Sequence, residues 1–151
     1  MKLSEIIDIK AIKIPLRAKD KQTAIEELID TLSQAGKISD KSKLLQAVLD
    51  REATRSTGVG QGLAIPHGKC EGLNCLVCAV GIPAQPIDFQ SIDGQPVNFI
   101  VLLGSGVDQT GPHIQALARI SRFMTMPSFR KAIGQARTSL EVYRAFVEHE
   151  S

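Results

Sequence analysis

The 151-residue chain is predicted to fold as an α/β domain. Three observations carry that reading: apolar residues recur at helical spacing in several segments, short continuous apolar runs of strand length lie between them, and no internal repeat or long linker interrupts the alternation. The length suits one domain, taken as 1–151, with a substantial core.

Taken in order, Ile25, Leu28, Ile29 and Leu32 form a helical stripe after Asp20, with Gly36 as its stop. Leu44, Leu45, Val48 and Leu49 form a second stripe after Ser39-Asp40, in a helix expected to end near Arg51. Residues 63–65, 76–82 and 97–103 are apolar enough for interior strands, with Gly94 and Pro96 marking a turn. A helix is expected over 112–124, its apolar face supplied by Ile114, Leu117, Ala118 and Phe123 or Met124. Met126-Pro127-Ser128 ends it and opens a short helix through Phe129 and Ile133. Thr138 and Glu141 read as the capping box of a last helix, with Leu140, Tyr143 and Phe146 or Val147 turned inward. The opening MKLSEIIDIKAIKI breaks its apolar residues with charges and has no signal-peptide core, and no apolar run approaches membrane-spanning length. A cytoplasmic protein with no membrane insertion is expected. The formal net charge of +2 leaves no electrostatic footprint for nucleic acid.

The chemistry concentrates in REATRSTGVGQGLAIPHG, from Arg51 to Gly68. It delivers His67, between Pro66 and Gly68, just past an expected strand end, where ligand sites of open α/β sheets lie. A neutral imidazole there can attack phosphorus or carry a proton. Pro66 fixes the preceding backbone, and Gly68 has no side chain to obstruct a tetrahedral group. The N–H groups of Gly58, Gly60 and Gly62 offer a path that faces an anion, Ser56 and Thr57 offer hydroxyl donors, and Arg51 and Arg55 offer paired contacts to phosphate oxygens. His113, after Gly111-Pro112, stands at a helix start that favours anions. Neither GxxxxGK[ST] nor GxGxxG is present, which argues against a nucleotide P-loop or dinucleotide turn. The bland alternative is that His67 and His113 are ordinary turn and first-turn residues.

Other features point away from metal chemistry. Cys70, Cys75 and Cys78 have a C-x4-C-x2-C spacing, but a fourth cysteine is missing and two of the three fall on one expected strand, so reduced thiols are expected and no metal or cofactor. His149 reads as a solvated tail residue. Arg119 and Arg122, one turn apart, either receive an acidic partner or simply face solvent. A metal-dependent hydrolase built on His67 and His113 lacks an H-x-x-x-H or carboxylate-rich ligand pattern.

The run Glu52, Val59-Gly60 and Leu63-Ala64-Ile65-Pro66-His67-Gly68 resembles the phosphorylation-site signature of the type 2 EIIA proteins of the phosphoenolpyruvate-dependent phosphotransferase system: the fructose, mannitol and nitrogen-regulatory class. Gln85-Pro86-Ile87-Asp88-Phe89, Ile92-Asp93-Gly94-Gln95-Pro96-Val97 and Asp108-Gln109-Thr110 followed by His113 and Leu117 are similar to that family as well, so the resemblance spans nearly the whole chain. It implies a mixed β-sheet flanked by helices on both faces. It also implies that His67 accepts a phosphoryl group from the small histidine phosphocarrier protein, HPr or a paralogue, with Arg51 and His113 as active-site partners. Two uses stay open: onward transfer to an EIIB domain of a sugar permease, or phosphate-dependent binding of a regulatory target, the latter slightly favoured. The sequence does not say which ring nitrogen of His67 is phosphorylated.

Overall fold

The computed structural model describes residues 2–150. After a 3-10 turn at Leu3–Glu5 the elements are β1 (Ile7–Leu16), α1 (Lys21–Gln34), α2 (Lys41–Thr54), β2 (Gly58–Gly60), β3 (Leu63–Ala64), β4 (His67–Lys69), β5 (Val77–Pro83), β6 (Phe99–Ser105), α3 (Thr110–Phe123), α4 (Pro127–Gln135) and α5 (Ser139–His149). The strands form one open mixed sheet in the order β1-β5-β6-β3-β2, with β4 also paired to β6. Strand β6 is antiparallel to β5 and parallel to both β3 and β4.

All seven residues of β6 are buried, as a central strand covered on both faces requires. On one face α1 and α2 supply Ile25, Leu28, Ile29, Leu32, Leu44 and Val48. On the other, α3, α4 and α5 supply Ile120, Phe123, Phe129, Val142 and Phe146 against Phe99, Val101 and Leu103. Phe123, Phe129 and Phe146 meet with ring centroids 4.8–5.2 Å apart, within the range favoured for aromatic pairs.

The helix signals act as expected. Asp20 caps α1 by accepting from the Thr23 N–H at 2.9 Å, Asp40 caps α2 by accepting from the Lys43 N–H at 3.2 Å, and Gly36 follows α1 with φ +74°. Pro127 occupies the first turn of α4, and Thr138 caps α5 by accepting from the Glu141 N–H. The reciprocal half of the expected box is shifted by one residue: the Glu141 carboxylate takes the Arg137 N–H at 3.3 Å and the Thr138 hydroxyl at 3.2 Å.

Several expectations are corrected. The opening segment holds a ten-residue edge strand, β1, where Pro15 is tolerated. Helix α2 runs three residues past Arg51, so that arginine lies inside its last turn. In α5 Leu140 and Val147 are exposed, and the buried face is Val142, Ala145 and Phe146. Ile114 of α3 is exposed too. Cys75 lies on an exposed bend before β5, whereas Cys78 is inside that strand, where burial pushes its thiol up to about 12. His149 is tied down at both ring nitrogens. Its Nδ1 lies 2.7 Å from the Ala145 carbonyl, its Nε2 lies 3.0 Å from the Ser128 hydroxyl, and its ring stands edge-on to Phe129.

Candidate functional site

His67 lies just past the end of β3, as expected, and also opens β4: its parallel pairing places it opposite Leu103, near the carboxyl end of β6. The two residues between β3 and β4, Ile65 and Pro66, turn the chain, and the Pro66 carbonyl accepts from the Leu103 N–H at 3.0 Å. Within that turn His67 Nδ1 lies 2.7 Å from the Ile65 carbonyl. A carbonyl only accepts, so Nδ1 carries the proton and Nε2 of the neutral ring carries the lone pair. Burial lowers the pKa of His67, opposed by the Ile65 bond and reinforced by the Arg51 charge. The ring is thus neutral at pH 7. It borders a cleft of about 250 Å³ shared with Arg51, Arg55, Val59, Ile92 and Leu117.

The ring of His113, from the first turn of α3, lies edge-on to His67 with centroids 5.3 Å apart and planes at 62°. It is buried, and its Nδ1 is 2.6 Å from the hydroxyl of Ser105, the last residue of β6. Burial depresses its pKa to about 4, with the charges of His67 and Lys69 acting in the same direction. Arg51 projects from α2 and donates through Nη1 to the Arg55 carbonyl at 2.9 Å, which fixes one edge of the guanidinium. Lys69, two residues along β4, donates to Thr110 Oγ1 at 2.9 Å and brings a cation to the start of α3.

Residues 5–149 match the family described as the phosphoenolpyruvate-dependent sugar phosphotransferase system, EIIA 2. The chain belongs to this family. It is 32% identical over 147 residues to the nitrogen regulatory protein of Bradyrhizobium diazoefficiens, covering 95% of this chain and 93% of that one. It is 30% identical over 150 residues to the fructose-specific EIIABC component of Bacillus subtilis strain 168, covering 99% of this chain but only 24% of that longer protein. The crystal structure of the nitrogen regulatory protein IIA-Ntr from Neisseria meningitidis superposes with a TM-score of 0.87 at 27% identity, over 95% of this chain and 98% of that one.

Within this EIIA domain, His67 and His113 meet as expected, and Arg51 shares the cleft with His67. Arg55, Ser56 and Thr57 line the same cleft, and the two hydroxyls also hydrogen-bond within the protein. The Ser56 hydroxyl donates to the Phe89 carbonyl and accepts from the Gly58 N–H at 3.1 Å. Thr57 is buried, and both its N–H and its hydroxyl donate to Glu52, at 2.9 and 2.5 Å. The Gly58–Gly60 segment pairs antiparallel with β3; Gly60 and Gly62 adopt φ of +101° and +82°. Gly68 is glycine for a different reason from the one expected. A Cβ there would sit 2.9 Å from the backbone of Ala47 and Val48, so its bare face receives helix α2.

Three contributors escaped the sequence reading. Glu52 carries the Thr57 loop and pairs with Lys21 of α1 at 3.1 Å; Ser105 and Lys69 approach through strand register. The capping and strand signals do not encode such contacts between distant segments. Only Glu52 had a visible signal, as part of the family signature.

Proposed function

We propose that this EIIA chain is a phosphohistidine carrier, accepting a phosphoryl group on Nε2 of His67 from the small histidine phosphocarrier protein, HPr or a paralogue, and passing it on. The observation that supports this most directly is the 2.7 Å bond between His67 Nδ1 and the Ile65 carbonyl, because it turns the lone pair to Nε2 on a ring held neutral. In the transfer a P–N bond to Nε2 forms as the P–N bond to the donor's histidine breaks, in line. The acceptor ring then bears the phosphoryl group on Nε2 and still holds its proton on Nδ1. Its positive charge is stabilised by the Ile65 carbonyl, which keeps the ring a good leaving group for the next transfer.

The remaining requirement is charge stabilisation on the equatorial oxygens. Arg51 supplies a guanidinium capable of two parallel charge-assisted hydrogen bonds, His113 an imidazole edge, and Lys69 a nearby cation. Metal is not needed for these roles. The proposed site of action is the cytoplasm; among the described residues no helix is long and apolar enough to cross a membrane.

For the destination of the phosphoryl group, regulation is the leading reading. The nitrogen regulatory relative aligns over nearly the full length of both chains, and a dianionic group replacing a neutral ring edge suffices to change affinity for a target protein. The fructose-specific relative supports the second reading, delivery to an EIIB domain of a sugar permease.

The test is incubation with phosphoenolpyruvate, the general phosphotransferase enzyme and the histidine phosphocarrier protein, followed by intact mass of wild type and His67→Ala. One acid-labile phosphoryl adduct, absent from the variant, is expected. A wild type that stays unmodified while an active control EIIA is labelled overturns the reading. Rapid loss of the adduct to an added EIIB domain separates the sugar relay from the regulatory use.

A further inference from the structure

Strand β6 is buried along its whole length, and it ends in a hydroxyl. Ser105 is fully buried, and its Oγ makes one hydrogen bond among the described residues, to His113 Nδ1 at 2.6 Å. The backbone fixes where that hydroxyl points. Ser105 is registered opposite Lys69 in the β4–β6 pairing, and its carbonyl accepts from the Cys70 N–H at 3.0 Å. His113 is fixed from the other side by its position in the first turn of α3, where its N–H donates to the Gln109 carbonyl at 3.0 Å.

We infer that Ser105 is a positioning residue: its hydroxyl donates to Nδ1 of His113, selecting the ring form whose proton is on Nε2 and holding that N–H available to a phosphoryl group on His67. This rests on the reading of His67 as phosphoryl acceptor. The opposite arrangement, with Nδ1–H donating to Oγ, leaves the buried hydroxyl proton with no acceptor, and buried polar groups are paired. It would also leave His113 Nε2 as a bare lone pair, repelling phosphoryl oxygens instead of binding them. A hydroxyl donating to Nδ1 further opposes protonation there, in keeping with the neutral state that burial and the neighbouring His67 and Lys69 impose. The two rings therefore take opposite tautomers: His67 keeps its proton on Nδ1, where a carbonyl can only accept it, and His113 keeps its proton on Nε2, because the hydroxyl donates to Nδ1. One ring presents a nucleophile and the other a donor.

The experiment is a long-range proton–nitrogen correlation spectrum of the ring nitrogens in the full chain near pH 7, for wild type, Ser105→Ala and Ser105→Thr, with the rate of phosphoryl uptake from the phosphorylated carrier measured on the same samples. A protonated Nε2 and an unprotonated, hydrogen-bonded Nδ1 on His113 are expected in wild type. In Ser105→Ala the Nδ1 signal moves as it loses its donor, and uptake slows about tenfold with the KM for the carrier unchanged, the signature of a misoriented group. Ser105→Thr, which keeps the hydroxyl, restores both. A wild-type His113 protonated at Nδ1 overturns the inference, whether or not either variant folds. So does a Ser105→Ala protein with unmoved His113 signals and unchanged uptake. If the wild type takes up no phosphoryl group, it is the carrier reading that falls, and the ring spectra still decide the role of Ser105.

Discussion

Glu52 is the residue whose removal tests the architecture of the site most sharply. Its carboxylate is buried between α1, α2 and the loop that leads to β2, where it accepts from the Thr57 N–H, the Thr57 hydroxyl and Lys21 Nζ. In Glu52→Ala both Thr57 donors lose their acceptor in a buried position, at roughly 1–3 kcal/mol for such unsatisfied groups. Lys21 loses its counter-charge, but its side chain is 21% exposed and retains Gln90 Oε1 at 3.2 Å. It can turn to water, so the roughly 3–5 kcal/mol typical of a stranded buried charge is an upper bound here. A destabilisation of about 3 kcal/mol is expected, a large fraction of the ~5–15 kcal/mol that holds a domain folded. Glu52→Gln keeps the shape and a carbonyl acceptor and exchanges charged for neutral hydrogen bonds, for which the expected loss is about 1 kcal/mol. Urea unfolding measures both: the midpoint should fall in the order wild type, Gln, Ala, with the slope unchanged. The reasoning fails if Glu52→Ala costs less than about 1 kcal/mol, since the Thr57 groups would then have found other partners.

Two further perturbations follow from the same geometry. Because the folded-state pKa values of His67 and His113 lie below the ordinary histidine value, the unfolded chain binds more protons between them, and stability falls as pH drops from about 6.5 towards 4. Denaturant midpoints at pH 7 and pH 5 should differ less for His113→Gln than for wild type; an equal acid loss in both would remove His113 from the account. Gly68→Ala places a methyl group 2.9 Å from the α2 backbone, which cannot rotate away, and should cost about 1–3 kcal/mol in thermal unfolding. An unchanged midpoint would mean that α2 yields freely.

What the sequence disclosed depends on the range over which each cue acts. Caps at Asp20, Asp40 and Thr138 are settled within a turn, so the helices were legible, as were the continuous apolar runs of the two central strands. Strand β1 escaped because its pairing with β5 changes register between Ile7 and Ile12 and again before Leu16, which destroys the period-two alternation that identifies a strand. Strand β3 showed as the short apolar run 63–65, whereas β2 and β4 are three residues long, too short for any period, and exist because β3 and β6 offer them ladders. At the site, residue types announced His67, Arg51 and His113. Hydroxyls are more ambiguous, since a serine or threonine satisfies a neighbouring backbone as readily as a phosphate, and Ser56 and Thr57 do the former. Ser105, in an apolar strand, gave no sign of its partner until α3 was brought against it.

Both imidazoles take their position from one strand, His67 by register with Leu103 and His113 through Ser105, while the exposed apolar residues Val59, Ile92 and Ile114 belong to other segments. The spacing of the two imidazoles is thus a property of the protein's spine, and the surface a partner would meet is a property of its skin. Such a division lets substitutions on the outside redirect whom the protein meets without retuning what it does when they meet, one physical route by which a single scaffold serves both transport and regulation.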